Sequence, residues 1–290
     1  MPDPTPATLT TLISTGDLAS RLGSLDLVVV DCRFDLADTA WGEAEYVAGH
    51  IAGAVYAHLD RDLSGPRSGT NGRHPLPDGD RLAERFGAWG IAQGMQVVAY
   101  DQGPAMYASR LWWMLRHLGH QAVAVLDGGL GQWRREHRPV TAGVEPGGSR
   151  TFVAARRPEL RVSVDDVLRG LHDPEQCLID ARAPERFEGR TESLDPVAGH
   201  IPGAVNRSFL QNLTADGRFE APEVLRRQWL ARLGGAPVER SVCYCGSGVT
   251  ACHNVLALEH AGLHGARLYA GSWSEWCADP WRPVETGSEA

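Results

Sequence analysis

The stretch AGHIAGAV, Ala48 to Val55, returns later in the chain as AGHIPGAV, Ala198 to Val205, with seven of its eight positions identical. A repeat of this quality is the mark of a duplicated structural unit. Three further landmarks keep the same order around it. VVVDCR ending at Arg33 answers to CLIDAR ending at Arg182, VVAYD ending at Asp101 to VCYC ending at Cys245, and Trp133 in GGLGQW to Trp276 in GSWSEW. The offset between partners drifts from 150 to 143 residues, as small loop insertions and deletions would produce. The 290-residue chain therefore reads as two copies of one domain, each large enough to bury its own core.

Short apolar runs in each copy predict strands buried on both faces: Leu25 to Val30, Gln96 to Tyr100 and Ala122 to Leu126, then Gln176 to Ile179, Ser241 to Tyr244 and Ala266 to Tyr269. Helical patterns separate them, at Thr8 to Leu22, Asp80 to Trp89 and Ala105 to Leu118 in the first copy, and at Ser163 to Leu171, Pro222 to Leu233 and Thr250 to His260 in the second. Ser163 with Asp166 reads as a capping box, Pro222 suits a first helical turn, and Gly234 and Gly262 suit helix ends. Alternating strands and helices predict an α/β fold, each copy a mostly parallel sheet flanked by helices. The Gly- and Pro-bearing AGVEPGGSR, before the extended TFVAA, marks the join. The division read from these signals is a first domain over 1–142, a linker over 143–157 and a second domain over 158–290.

A formal net charge of −8 without any arginine-rich block argues against nucleic acid or anionic membrane as the main partner. No apolar run approaches the ~20 residues that span a bilayer. The first sixteen residues lack the basic start and apolar stretch of a secretory signal, so a cytoplasmic location is expected. Six cysteines spread through such a chain read as thiols rather than a disulfide framework. All 28 basic residues are arginine, which removes Schiff-base chemistry on lysine from consideration.

Chemistry concentrates after the strand ending at Tyr244, where the chain reads Cys245-Gly246-Ser247-Gly248-Val249-Thr250 and enters a helix. A Gly-rich turn at a helix start points successive backbone N–H groups into one concavity, and the helix end adds partial positive charge. A thiol there has its anionic form stabilised, so Cys245 is expected to be largely thiolate at neutral pH. The same amides could hold the outer sulfur of a persulfide.

CGSGVT, the repeated GHIxGA turns, the DAR to RF stretch from Asp180 to Phe187 and the closing GSWSEW together resemble the tandem-domain rhodanese family of sulfurtransferases, over nearly the whole chain. CGSGVTA resembles the loop of the 3-mercaptopyruvate branch; thiosulfate-preferring members carry basic residues where Gly246 and Ser247 stand. The resemblance implies two tandem rhodanese-like domains, a Cys245 persulfide and no cofactor. It implies a small-molecule donor, 3-mercaptopyruvate with thiosulfate as the alternative, and a thiol acceptor such as thioredoxin, or cyanide. It implies catalytic roles for Ser247, with Asp60 and His74 meeting it across the domain interface as a proton relay. It implies substrate contacts from Arg186 and from the loop residues Gly246, Gly248, Val249 and Thr250. The family often has a second arginine about nine residues after the first; here that place is Asp195, and Arg190 or Arg182 are the candidates to compensate. Asp101, in the place of the cysteine, makes the first domain chemically silent, a wall for the active cleft.

Other readings are weaker. A Cys-dependent phosphatase would need an arginine where Ala251 stands. A metal site from Cys243, Cys245, Cys252 and His253 lacks ligand spacing, so none is expected. A binding module without catalysis would not be expected to keep Cys245. Trp112, Trp113, Trp229, Trp273 and Trp276 read as core or interface aromatics. His50, His200, Asp31 and Asp180 occur in both copies and read as structural.

Overall fold

A computed structural model of the chain describes residues 8–288. Residues 1–7, part of the first sixteen read above, and residues 289 and 290 lie outside the described residues.

The first half runs β1 (Leu12–Ile13), α1 (Thr15–Arg21), β2 (Leu27–Asp31), α2 (Trp41–Ala48), β3 (Ala54–Tyr56), α3 (Gly79–Ala88), β4 (Gln96–Tyr100), α4 (Ala108–His117), β5 (Val123–Leu126) and α5 (Gly129–Arg135). The second half repeats this as β6 (Arg161–Val162), α6 (Val164–Arg169), β7 (Cys177–Asp180), α7 (Pro184–Phe187), β8 (Val205–Asn206), α8 (Pro222–Leu233), β9 (Ser241–Tyr244), α9 (Ala251–His260), β10 (Arg267–Tyr269) and α10 (Ser272–Trp276). Two all-parallel five-stranded sheets result, ordered β1-β5-β4-β2-β3 and β6-β10-β9-β7-β8, so every strand of one sheet has a counterpart in the other. Helices cover both faces of such sheets, which is why Val28 to Val30 and Val97 to Ala99 are apolar without alternation and all buried. β4 and β9 lie in the middle of their sheets, and the loops leaving their C-terminal ends open where ligands bind in open α/β folds.

The expected helix from Thr8 to Leu22 is corrected. Leu12 and Ile13 pair with Val125 and Leu126 as an edge strand, and the Gln96 side chain receives the Leu9 N–H and donates to the Leu9 carbonyl. The helix starts only after Ser14, whose hydroxyl caps the Asp17 N–H. Tertiary hydrogen bonding overrides local pattern here. The helix expected from Ala105 starts instead at Ala108, because the backbone of 101–107 is occupied by a turn described below.

The two halves meet through α4 and α9, the helices that follow the two equivalent loops. Every residue from Ala108 to Leu115 and from Ala251 to Leu258 is buried, since each helix packs on its own sheet and on the other domain. Arg116 and Glu259 form a 3.2 Å ion pair across them. The segment between the sheets lies along the first domain: Arg150, Ala155 and Arg157 donate to the carbonyls of Gly87, Leu118 and His117, and Phe152 packs edge-on against Phe86. Among the described residues no helix is long and apolar enough to cross a membrane.

Candidate active site

β9 ends at Tyr244, and the next six residues turn sharply before α9 begins. Gly248 makes that turn possible: its φ is +74°, and any Cβ would run into the carbonyl oxygen of Ala270. α10 pins the loop from behind. Trp273 and Ser274 donate to the carbonyls of Cys245 and Gly246, both at 2.9 Å, and the Cys245 N–H donates to Ser272 Oγ at 3.0 Å. Among the described residues, the N–H groups of Ser247, Gly248, Val249, Thr250 and Ala251 donate to no protein acceptor. They form an open cradle of donors beside the Cys245 thiol, which is 2 % exposed.

The equivalent loop in the first domain shows what such a cradle holds. Asp101 turns its carboxylate into it and accepts from Gly103 and Ala105 on one oxygen, at 3.0 and 3.1 Å, and from Tyr107 and Ala108 on the other, at 2.9 and 3.2 Å. Burial pushes this carboxyl above its ordinary value while the four amides pull the other way.

A cavity of about 240 Å³ opens on Cys245, Gly246, Ser247, Val249 and Thr250. The first domain closes it with Leu36, Met106, Tyr107, Arg73 and His74; the second adds Phe209 and Arg186. His74 Nδ1 lies 2.7 Å from Ser247 Oγ, and its Nε2 lies 3.4 Å from Asp60 Oδ1. With the ring proton on Nε2, facing the carboxylate, Nδ1 accepts from the serine hydroxyl. Burial, followed by the nearby Arg110, Arg67 and Arg73, pulls the imidazole down to about 3, so it is neutral throughout the physiological range. Asp60 is partly exposed and also receives Arg67 at 3.2 Å.

Not every residue expected at the site reaches it. Gly248 is absent from the cavity wall and serves the turn instead. Arg190 is solvent-exposed, paired with Glu188 and Glu185, and does not face the cavity. Arg182 lines the wall; its Nε and Nη2 bond Asp180 and the Gly199 carbonyl, as Arg33 bonds Asp31 and the Gly49 carbonyl in the first domain, while its buried Nη1 makes no hydrogen bond and lies 3.6 Å from Glu192. The pairing recurs in the first copy, so this part of the Arg182 guanidinium braces the fold, while the residue itself lines the cavity. His50 and His200 are likewise structural, each with Nδ1 on a backbone carbonyl, of Tyr46 and Phe187.

Two residues escaped sequence reasoning. Arg73, beside His74 in NGRHP, reaches the cavity from the first domain; Gly72 allows this, since a Cβ there would lie 2.8 Å from the Gly271 carbonyl. Its only signal was adjacency to His74. Arg110 on α4 is fully buried and donates to the carbonyls of Leu63, His74 and, at 2.8 Å, Gly248. It ties the cysteine loop and the histidine together, and no carboxylate pairs with it among the described residues. Nothing in a helical sequence pattern marks it, because it reads as a surface arginine.

Comparisons with known proteins agree with this geometry. The model of the rhodanese-like domain matches residues 14–136 and again 163–279. A Pseudomonas aeruginosa protein named "Probable 3-mercaptopyruvate sulfurtransferase" is 49% identical over 281 residues, covering 95% of this chain and 98% of that one. The thiosulfate sulfurtransferase of Bos taurus is 34% identical over 276 residues, covering 91% of each. Among solved structures, the 3-mercaptopyruvate sulfotransferase of Escherichia coli superimposes with a TM-score of 0.79 at 32% identity, over 91% of this chain and 99% of that one. With both halves matched and a cysteine at the strand end only in the second, the chain belongs to the rhodanese family of sulfurtransferases, in its tandem two-domain form.

Proposed function

We propose that the protein takes sulfur from 3-mercaptopyruvate onto Cys245 as a persulfide and passes it to a thiol acceptor, such as the exposed thiol of a thioredoxin, or to cyanide. The observation that carries this reading is the 2.7 Å contact between His74 Nδ1 and Ser247 Oγ, made across the domain interface beside the nucleophile. Transfer from a mercaptoketone requires a proton to be moved, and this pair can move one.

The Cys245 thiolate attacks the donor sulfur. A sulfur–sulfur bond forms while the carbon–sulfur bond breaks, and its electron pair leaves on the methylene carbon as pyruvate enolate. The donor's thiol proton passes through Ser247 and neutral His74 to that carbon, so pyruvate departs and the outer sulfur stays anionic in the amide cradle. Asp60 faces the imidazolium that forms in passing. Arg186 and Arg73 meet the donor carboxylate. An acceptor thiolate then attacks the outer sulfur and restores Cys245. Residues 1–142 serve as the non-catalytic domain, 143–157 as the connection and 158–290 as the catalytic domain, since Asp101 offers no group that can carry sulfur.

The test compares steady-state rates with 3-mercaptopyruvate and thiosulfate for wild type and Cys245→Ser. The expected result is a higher kcat/KM for 3-mercaptopyruvate and no turnover in the variant. A higher kcat/KM for thiosulfate would overturn the donor, and turnover by Cys245→Ser would overturn the nucleophile.

A further inference from the structure

The two arginines of the cavity come from different domains, and one buried carboxylate holds them together. Asp195, whose side chain is 2 % exposed, places one oxygen on Arg73 Nη1 and the other 3.2 Å from Arg186 Nη2. Glu192, at 4 % exposure, takes the rest of that edge of Arg186, with contacts of 2.8 Å to Nη2 and 3.1 Å to Nε. What remain, besides Arg73 Nε, are Arg186 Nη1 and Arg73 Nη2, which hydrogen-bond to nothing among the described residues. Both face the nucleophile loop: a Cβ built on Gly246 would lie 2.8 Å from Arg73 Nη2 and 3.4 Å from Arg186 Nη1.

Two cations and two buried carboxylates leave this wall with directed N–H donors and no net charge. A carboxylate can be gripped by the two free nitrogens through geometry. A second negative charge on the donor finds no surplus cation in this wall to offset its desolvation, and the buried Arg110 behind the loop has its donors on the Leu63, His74 and Gly248 carbonyls. We infer that Asp195 is the donor-selecting residue of the site: it brackets Arg73 against Arg186 and cancels one of their charges, so that a monoanionic carboxylate donor is preferred to a dianionic one. This rests on the sulfurtransferase reading above and deepens it. Sequence comparison within the chain could not find the device, because Asp195 stands where an arginine was expected and its partner lies 122 positions away.

Asp195→Asn keeps the shape and leaves the wall with one surplus positive charge. The ratio of kcat/KM for thiosulfate to that for 3-mercaptopyruvate is expected to rise about tenfold, from the added attraction for the second charge at an intermediate effective dielectric. Asp195→Glu keeps the charge and should leave the ratio within about twofold of wild type. Glu192→Gln removes the same unit of charge without touching Arg73 and should move the ratio in the same direction, which keeps the test decisive should Asp195→Asn fail to fold. A purely structural role would lower both kcat/KM values together and leave the ratio where it was; that result, in either folded neutral variant, overturns the inference. Failure of the underlying reading looks different, because wild type itself would then show no turnover of 3-mercaptopyruvate.

Discussion

The loops that follow β4 and β9 occupy the same place in twin sheets, yet one holds its own carboxylate and the other is open. In the first, Asp101 fills the cradle with four amide hydrogen bonds. In the second, the cradle amides are unsatisfied by protein and the side chain beside them is a thiol. The contrast teaches that the cradle is an anion site inherited by both copies, and that the residue at the strand end decides whether the anion is a fixture or a passenger. It also gives the first copy a part in the cavity of the second, since α4 delivers Arg110 to the Gly248 carbonyl and the loop before α3 delivers Arg73 and His74.

The largest expected effect comes from making the loops alike. Cys245→Asp should fold and lose at least about 1000-fold in sulfur transfer, for want of a nucleophile, with a thermal midpoint no lower than that of wild type. Turnover by that variant, or its unfolding, would break the equivalence of the loops.

Next come the residues that the first domain lends to the second. His74→Ala or Ser247→Ala should lower kcat with 3-mercaptopyruvate by about 100-fold, the scale of general acid–base assistance. Thiosulfate releases sulfite without needing a proton, so its kcat should change far less. Equal losses with both donors would mean that the pair only shapes the cavity.

Asp101→Asn tests the filled cradle. Replacing the carboxylate by an amide opposes two donors with a donor of its own, and the expected cost is about 2 kcal/mol of stability, read from denaturant unfolding. Activity at ambient temperature should persist.

The smallest effect is a pH slope. Burial depresses His74 from its ordinary value to about 3, so the unfolded chain binds a proton below about pH 6.5 that the folded one refuses. Its contribution is full above that pH and is lost as pH falls toward 3, amounting to about 2 kcal/mol by pH 5. His74→Gln should show a correspondingly shallower loss of stability between pH 7 and 5; an unchanged slope would remove the claim that the imidazole is held neutral.

Much of this was legible before any coordinates. Buried central strands carry continuous apolar runs, so Gln96–Tyr100 and Ser241–Tyr244 coincide with β4 and β9, and Pro222–Leu233 with α8, where proline opens the helix and Gly234 closes it in the left-handed region. The edge strands β1, β3, β6 and β8 have only two or three residues, too few for any period to register. The loop that carries Cys245 was readable because a Gly-rich turn between strand and helix is local. Arg73, Arg110 and the Asp195 bracket were not, because each joins the two domains through residues more than a hundred positions apart. The ion pair of Arg182 with Asp180 was equally hidden, because nothing in sequence separates a buried brace from an arginine at a cavity wall.

The central claim is that the open cradle carries a sulfur anion and the filled one does not. Intact and peptide-level mass spectrometry after incubation with 3-mercaptopyruvate, then thiosulfate, without an acceptor measures this directly. The expected result is a gain of one sulfur atom, about 32 Da, on the peptide bearing Cys245, reversed by an acceptor thiol, and none on peptides of the first domain. An unmodified Cys245 with either donor, or sulfur carried on another cysteine, would contradict it.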